Sequence, residues 1–223
     1  MKEIIRLENV VKMYPGERRV VNDISLKLGE HQRVAIEGPP GSGKSTLMRL
    51  IAGMEKPSAG GGFVLDKAVH EMDQDAAAAF RGRHIGVMQR DPGFMEELTV
   101  IENVAMPLTT RGVPVFKRNR EAKERLKEMG LLSITHASPK QITVFEKTLA
   151  SAARMLISQP EILMISDIFP GLSDREAGRL AEIINGLGKS GNYTIIVFCT
   201  EIPRELELDR HIRMSKGKIQ EDL

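Results

Sequence analysis

The sequence predicts an α/β domain built on a mostly parallel sheet, and three features of the chain predict it. A short apolar run, Arg33–Glu37, leads into the glycine-rich turn 38–46, and a helical pattern follows that ends near Gly53. Two later runs, Ile162–Asp167 and Tyr193–Thr200, are largely apolar, which is typical of strands in the middle of a parallel sheet. Helical patterns separate these runs, as the crossover connections of parallel strands require.

The glycine-rich turn has the spacing of a phosphate-binding loop. It fits G-x-x-x-x-G-K-[ST] and lies between a strand and a helix, as that motif requires. Its glycines let backbone N–H groups converge on a polyphosphate, and the following helix N-terminus favours negative charge. We expect Lys44 to reach the terminal phosphates and Ser45 to complete a Mg²⁺ shell. The predicted loop residues in contact with a nucleoside triphosphate are Gly38, Gly41, Ser42, Gly43, Lys44, Ser45 and Thr46. The alternative is a tight strand–helix turn without a ligand.

A carboxylate ends the apolar strand Ile162–Asp167. In an α/β nucleotide-binding domain with this order of parts, Asp167 is expected beside the phosphate loop, where it holds Mg²⁺ directly or through water. A buried acid without partners is costly, so this position at the end of a strand favours a site over core packing.

The composition narrows the classes of partner. The 223 residues hold 32 Lys plus Arg against 30 Asp plus Glu, a net charge of +2, which is too balanced to indicate nucleic acid as the main partner. The single cysteine, Cys199, lies in an apolar run and is expected to be reduced and buried. No apolar stretch approaches the ~20 residues that cross a bilayer. We therefore expect a cytoplasmic protein whose membrane role, if any, comes through a partner.

The remaining elements follow from local patterns. Ile4–Val11 and Arg19–Leu28, separated by the turn Pro15-Gly16, predict an N-terminal antiparallel β region. Gly60–Gly62 is expected to be a turn before a strand, Phe63–His70. The other predicted elements are helices at Met72–Arg81, Glu97–Leu108, Phe116–Leu132 and Phe145–Ser158, a strand at Ile85–Gln89, a helix opened by the capping box Ser173–Glu176, and a hairpin at Ile212–Ile219.

The order of these parts resembles the nucleotide-binding subunit of an ABC transporter, and the resemblance covers essentially the whole chain. Tyr14 stands where that family stacks an aromatic ring on adenine, and Gln89 stands at its Q-loop. The segment 94–108 looks like the branch that serves lipoprotein release and macrolide export. The resemblance implies one domain over 1–223 with a helical lobe at about 94–160.

The same resemblance implies cofactors and partners. ATP and Mg²⁺ are the expected cofactors, with Tyr14 and Gln89 added to the nucleotide contacts and with Ser45, Gln89 and Asp167 at the metal. Two subunits are expected to hold two ATP molecules between a phosphate loop and the partner's signature sequence. Integral membrane subunits are expected to dock on the helical lobe near Gln89, which would place the chain on the inner face of the cell membrane.

Several positions depart from the family's pattern. Where the signature Leu-Ser-Gly-Gly-Gln is expected, residues 142–146 read Ile-Thr-Val-Phe-Glu, so only the Thr143 hydroxyl is left to meet a γ-phosphate. Ile168 replaces the carboxylate that deprotonates the attacking water, and Glu201 replaces the switch histidine. Pro40 stands where the family often has serine.

These departures lead to three hypotheses. The leading one is a degenerate ATP-binding subunit that holds ATP–Mg²⁺, hydrolyses it poorly and works with a second cassette and membrane subunits. The second is an active ATPase in which Glu201 serves as the base together with Gln89, because Ile168 and Glu201 are expected at neighbouring strand ends facing the γ-phosphate. The third is a regulatory or structural module without transport. An ordinary ATPase with misaligned motifs remains a further alternative.

Overall fold

Two sheets organise the chain. The computed structural model describes residues 2–16 and 19–223. The strands are β1 (Glu3–Met13), β2 (Arg19–Gly29), β3 (Arg33–Glu37), β4 (Ala59–Val64), β5 (Lys67–Ala68), β6 (Ile85–Gln89), β7 (Ile162–Ser166), β8 (Thr194–Cys199), β9 (Arg210–Ser215) and β10 (Lys218–Asp222). The helices are α1 (Lys44–Ile51), α2 (Gln74–His84), α3 (Val100–Thr110), α4 (Val115–Glu128), a 3₁₀ turn (Leu132–Ile134), α5 (Val144–Leu156) and α6 (Asp174–Lys189).

The larger sheet carries the predicted parallel core. Its order is β10-β9-β3-β8-β7-β6, and β9, β3, β8, β7 and β6 run parallel while β10 returns antiparallel to β9. Every residue of β7 and β8 is buried, which explains why both strands are apolar throughout. The carboxyl ends of β3, β6, β7 and β8 therefore meet at one edge of this sheet.

The smaller sheet is antiparallel, with the order β2-β1-β4-β5, so the predicted N-terminal β region is confirmed. The prediction of a turn at Gly60–Gly62 is wrong, because these residues lie in β4 and pair with β1. A side chain at Gly60 would run into the backbone oxygens of Glu8 and Asn9, so glycine here permits a close approach of two strands. The turn lies instead at Leu65-Asp66, both with positive φ.

The helices divide the apolar interior into two clusters. One packs α1 against both sheets, with Leu47 and Phe198 among its fully buried members. The other lies beneath α3, α4, α5 and α6, on the opposite face of the larger sheet. The helices α3, α4 and α5 all come between β6 and β7 in the chain, within the segment predicted to be helical.

The helix boundaries differ from those predicted by a few residues, and capping side chains explain the shift at α3. Thr99 and Glu102 form a capping box, so the helix begins at Val100 and not at Glu97. Ser173 and Glu176 form the predicted capping box of α6. Among the described residues, no helix combines the length and the apolarity that crossing a bilayer needs.

Candidate nucleotide-binding site

The phosphate loop (residues 38–46) opens into a cavity of about 340 Å³ at the carboxyl edge of the larger sheet, here called the phosphate cavity. Its lining residues are Val20, Pro40, Gly41, Ser42, Gly43, Lys44, Ser45, Thr46, Asp167 and Thr200. Most of the loop residues predicted from the motif therefore share one space with Asp167, far away in the sequence. Val20 and Thr200 also line it, and no local sequence signal marks Val20.

The loop backbone forms a cradle that only glycine permits at its narrowest point. Gly43 has φ +100°, and a Cβ there would run into the carbonyl oxygen of Val20 on β2. Gly41 also has a positive φ, +77°, with open space where a side chain would be. The cradle is therefore shaped by backbone atoms, which fits a polyphosphate held by N–H groups.

The helix α1 begins where this cradle ends. Its N-cap is Gly43, its first turn contains no acidic residue, and in the described part of the chain no side chain caps it. The first backbone N–H groups of a helix lack partners within the helix and carry partial positive charge. This N-terminus is therefore available to an anion in the cavity.

The ammonium group of Lys44 lies inside the phosphate loop. The side chain is 5% exposed, and its Nζ donates hydrogen bonds to the carbonyl oxygens of Gly38 at 2.5 Å and Pro39 at 3.2 Å and to Ser42 Oγ at 3.3 Å. These acceptors are neutral, so phosphate oxygens would make stronger, charge-assisted bonds with the same ammonium. Ser45 is exposed, and its hydroxyl with the carboxylate of Asp167 supplies the oxygen ligands that Mg²⁺ prefers.

Strand β8 fixes the loop and the carboxylate together. The N–H of Gly38 donates to the carbonyl of Cys199 at 3.1 Å, and the N–H of Asp167 donates to the carbonyl of Phe198 at 2.9 Å. Cys199 is free and buried, as predicted. Burial, and then the charges of Glu37 and Asp167, raise the pKa of its thiol to about 12. Cys199 is therefore a structural residue and not a nucleophile.

Gln89 is exposed at the end of β6, the edge strand of the larger sheet. In the pairing of β6 with β7 it lies opposite Ser166, the residue before Asp167. The residues described as lining the cavity do not include it. Gln89 therefore ends its strand near Asp167 without lining the cavity, and its role at the metal stays a prediction.

Tyr14 is tied to the helix that follows the phosphate loop. Its hydroxyl donates to Glu55 Oε2 at 2.5 Å and accepts from Arg49 Nη2 at 3.3 Å, while Arg49 also donates to Glu55 at 2.5 Å and to Thr46 at 3.2 Å. Burial acts to raise the pKa of Glu55, but the bonds from Tyr14 and Arg49 outweigh it and hold that pKa below its ordinary value. Sequence reasoning missed Arg49 and Glu55, because their spacing from Tyr14 forms no local motif.

Ile168 and Glu201 are both expected to face the γ-phosphate, and for Ile168 the expectation is wrong. Ile168 is 4% exposed and belongs to the apolar cluster beneath α3–α6, because an aliphatic side chain at the strand end gains most by burial. Glu201 is exposed and lines an adjoining cavity of about 420 Å³, which shares Asp167 and Thr200 with the phosphate cavity. The strands β7 and β8 are neighbours as expected.

Residues 142–146 start helix α5. The Thr143 hydroxyl accepts from the N–H of Glu146 at 3.1 Å, and the N–H of Thr143 donates to the Glu146 carboxylate at 2.8 Å. Val144 is 74% exposed, and Phe145 lies under the guanidinium of Arg179 at 5.8 Å. The Thr143 hydroxyl therefore accepts the capping hydrogen bond of α5, and whether it also meets a γ-phosphate stays a prediction.

Comparison with known proteins agrees with this geometry. The sequence profile of the ABC transporter family matches residues 21–167. The lipoprotein-releasing system ATP-binding protein LolD of Chromohalobacter salexigens is 28% identical over 98% of this chain and 94% of its own length. The macrolide export ATP-binding/permease protein MacB of Bartonella henselae is 29% identical over 98% of this chain and 34% of its own length.

A solved structure shares the complete fold. It is the dimeric post-hydrolysis state of an ATP-binding cassette bound to ADP and Pi, and it matches with a TM-score of 0.91 and 25% identity over 99% of this chain and 98% of that chain. The phosphate loop, Asp167 and both sheets fall within this likeness. The chain therefore belongs to the ABC transporter family, in which it is an ATP-binding subunit similar to the lipoprotein-releasing and macrolide-export proteins.

Proposed function

We propose that this subunit binds ATP with Mg²⁺ in the phosphate cavity, hydrolyses it poorly by itself, and couples nucleotide binding to membrane subunits together with a second cassette. The open N-terminus of α1 and the glycine cradle support binding. The buried side chain of Ile168 supports poor hydrolysis, because no carboxylate stands at the position that the family uses for its base. Binding and hydrolysis can separate, because they depend on different residues.

The chain's own groups suffice to hold the cofactors. Lys44 can exchange its bonds to loop carbonyls for bonds to phosphate oxygens, and the loop amides can complete the contact. Ser45 and Asp167 supply hard oxygen ligands at the same cavity. Bound Mg²⁺ would neutralise charge on the phosphate oxygens.

The single observation that carries the proposal is the burial of Ile168. An aliphatic side chain neither orients water nor accepts a proton, and general-base assistance is worth about 10²–10⁴ in rate, or about 3–5 kcal/mol of barrier. The occupied N-terminus of α5 adds to this, because the backbone N–H of Glu146 already bonds to Thr143. We infer that the contact of this segment with a partner's ATP is weak.

A second candidate function is an active ATPase that uses Glu201 as its base. One observation favours it: the cavity that Glu201 lines shares Asp167 and Thr200 with the phosphate cavity. A Glu201→Gln variant keeps the shape and removes the base. If this variant loses the turnover that the wild-type protein shows, Glu201 is the base; an unchanged rate eliminates this candidate.

The proposal is tested by measuring ATP binding and phosphate release on the same preparations. Saturating ATP–Mg²⁺ should stabilise the protein by about 2.7 kcal/mol at a hundred times its Kd, visible as a rise in melting temperature. Lys44→Ala should abolish that rise, while Lys127→Ala, an exposed lysine on α4, should leave it intact. Phosphate release by the wild-type protein should equal that of Lys44→Ala.

Two outcomes contradict the proposal. Rapid phosphate release that Lys44→Ala removes would show a competent ATPase. The absence of any shift in melting temperature with ATP would favour a regulatory or structural module without nucleotide binding.

For the partners, we propose a second cassette with an intact signature and integral membrane subunits, which would place this chain on the inner face of the membrane.

A further inference from the structure

Helix α4 (Val115–Glu128) concentrates positive charge on the surface of the protein. It has six basic residues and three glutamates, a net charge of +3, whereas the whole chain has a net charge of +2. Along the sequence the two signs are mixed, which is typical of an ordinary solvated helix face. The helix separates them, because residues three and four positions apart lie on the same side.

One ridge of α4 is basic and has an exposed aromatic ring at one end. Positions i, i+4, i+7 and i+11 follow one row along a helix. From residue 116 this row consists of Phe116, Arg120, Lys123 and Lys127, here called the basic stripe. All four side chains are exposed, Phe116 by 75%. At a rise of about 1.5 Å per residue, the stripe is roughly 16 Å long.

The carboxylates of α4 lie on a neighbouring ridge. The same spacing counted from residue 117 gives a row about 100° further round the helix. This row consists of Lys117, Glu121, Glu124 and Glu128. The side of the helix that packs on the core is marked by buried Ala122 and Leu126. A flat surface can therefore contact the basic stripe without meeting most of the carboxylates.

The positive charge of the stripe is poorly compensated. Arg120 lies 3.6 Å from Glu121, but both side chains are exposed, and exposed pairs of this kind contribute little. Among the residues that the structure describes, Lys123 and Lys127 belong to no ion pair. The stripe therefore attracts an anion from outside the chain.

The shape and composition of the stripe favour an anionic bilayer. The cavity beside α4, of about 280 Å³, is lined by Lys117 and Glu121 and by no residue of the stripe, so the stripe is a ridge and not a cleft. Exposed Phe116 continues into Val115, which is 57% exposed, so apolar surface adjoins the charges. Basic residues with an aromatic ring on one exposed helix face are typical of helices that lie at a membrane surface.

We propose that α4 lies on the membrane surface, with the basic stripe against the phosphate groups of anionic phospholipids and the ring of Phe116 among the headgroups. The inference goes beyond the proposed function, because this contact needs neither ATP nor a partner subunit. Each Lys or Arg near an anionic surface strengthens binding by roughly fivefold, so three such charges contribute about a hundredfold. The contact is therefore reversible, and salt weakens it.

The test measures binding of the full chain to vesicles by sedimentation. One set of vesicles contains phosphatidylglycerol and phosphatidylcholine in equal parts, and the other contains phosphatidylcholine alone. We expect binding to the first set only, and loss of this binding at about 1 M salt. The variant Arg120→Gln/Lys123→Gln/Lys127→Gln should bind the first set about a hundredfold more weakly. Its three positions are exposed, so its melting temperature should equal that of the wild-type protein.

A matched control removes the same charge elsewhere. Lys56→Gln/Lys67→Gln/Lys218→Gln changes three exposed lysines outside α4 and should bind both sets of vesicles as the wild-type protein does. A second variant, Phe116→Trp, reports where the ring lies. The chain has no tryptophan, so the emission of this single one should move to shorter wavelength on phosphatidylglycerol vesicles.

Several outcomes overturn the proposal. They are equal binding to phosphatidylcholine vesicles, no binding to phosphatidylglycerol vesicles, an equal loss in the control, and unshifted tryptophan emission in the vesicle-bound protein. Binding to double-stranded DNA that the triple stripe variant abolishes, without vesicle binding, assigns the stripe to nucleic acid and overturns it as well. The stripe variant should keep the ATP-dependent melting shift of the wild-type protein, so a failure to bind ATP affects only the proposed function.

Discussion

The N-termini of helices α1 and α5 differ in whether the chain places a carboxylate beside them. Helix α1 begins behind Gly43, has no acidic residue in its first turn, and faces the phosphate cavity. Helix α5 begins behind Thr143, and Glu146 in its first turn accepts a hydrogen bond from the N–H of Thr143 at 2.8 Å. Both ends carry the same partial positive charge from the helix dipole.

The difference lies in which group takes the place beside each helix N-terminus. At α1 the positive end is left for a ligand, whereas at α5 a carboxylate of the chain itself takes the favoured place. The helices α3 and α6 repeat the closed arrangement with Glu102 and Glu176. Ile168, which follows Asp167 at the end of β7, also turns away from the phosphate cavity, because its side chain lies in the apolar core.

The largest expected effect on stability comes from truncating the buried side chain of Ile168. Ile168→Ala should lower the free energy of unfolding by about 2–5 kcal/mol, because it opens a cavity among buried side chains. ATP affinity of the folded protein should not change, because Ile168 packs away from the phosphate cavity. Denaturant titration with and without ATP measures both quantities. Val144→Ala, at a side chain 74% exposed, should change stability by no more than about 0.5 kcal/mol, and a comparable loss in the two variants would contradict the core position of Ile168.

A side chain at Gly43 should distort the phosphate loop at the N-terminus of α1 and so prevent a phosphate from binding there. Gly43→Ala forces a left-handed backbone with φ +100° and pushes a Cβ into the carbonyl of Val20, so we expect a loss of about 1–3 kcal/mol in stability together with loss of the ATP-dependent melting shift. Gly112→Ala is the matched control, since Gly112 also has a positive φ, +72°, but has open space around it. Equal behaviour of the two variants would mean that the cradle does not depend on the close approach of β2.

Removing the cap of α5 should affect stability and leave ATP binding by this chain unaltered. Thr143→Ala should cost about 1 kcal/mol in the free energy of unfolding, the usual value of an N-cap hydroxyl. Ser173→Ala, in the capping box of α6, should cost about the same. A clear change in ATP affinity for Thr143→Ala alone would show that the N-terminus of α5 takes part in nucleotide binding after all.

Lowering the pH should weaken the N-termini of α3 and α6, which glutamates cap, more than that of α1, which has no acidic residue in its first turn. We expect this effect to be small. Hydrogen bonds from Thr99 and Ser173 hold the pKa of Glu102 and of Glu176 below the ordinary 4.5. A lowered carboxyl pKa stabilises the fold above the unfolded value, and this contribution is lost as pH falls below 4.5 through the folded pKa. Amide hydrogen exchange near pH 4 should therefore show the first turns of α3 and α6 opening before that of α1. Glu102→Gln should remove the pH dependence of α3 only, and equal acid sensitivity of α1 would contradict this assignment.

The features predicted correctly from sequence depend on local chemistry or on the order of the strands. The phosphate loop is one such feature, because its glycines, Lys44 and Ser45 are contiguous and act through the backbone that they form. The buried strands β7 and β8 are another, because a strand covered on both faces must be apolar throughout. The meeting of Asp167 with the loop followed from the order of the strands.

Features that depend on long-range contacts were missed or misplaced. The sequence predicts Gly60 to be a turn residue, but its need for close approach comes from β1, which lies much earlier in the chain. Ile168 was expected at the γ-phosphate, but whether a side chain at a strand end turns to the site or to the core depends on the space left by the neighbouring helices. The polar network of Tyr14 with Arg49 and Glu55 joins residues 41 and 35 positions apart, which no local pattern reveals.

The rate at which the buried thiol at the end of β8 reacts with an alkylating reagent measures how often the edge of the larger sheet opens. Cys199 is 4% exposed and has a pKa of about 12, so an alkylating reagent reaches it as a thiolate only after the sheet edge opens. Its carbonyl accepts the N–H of Gly38, so opening at this edge also loosens the phosphate loop. The labelling rate of the one cysteine in the chain should therefore fall when ATP occupies the loop, and this decrease would report nucleotide binding.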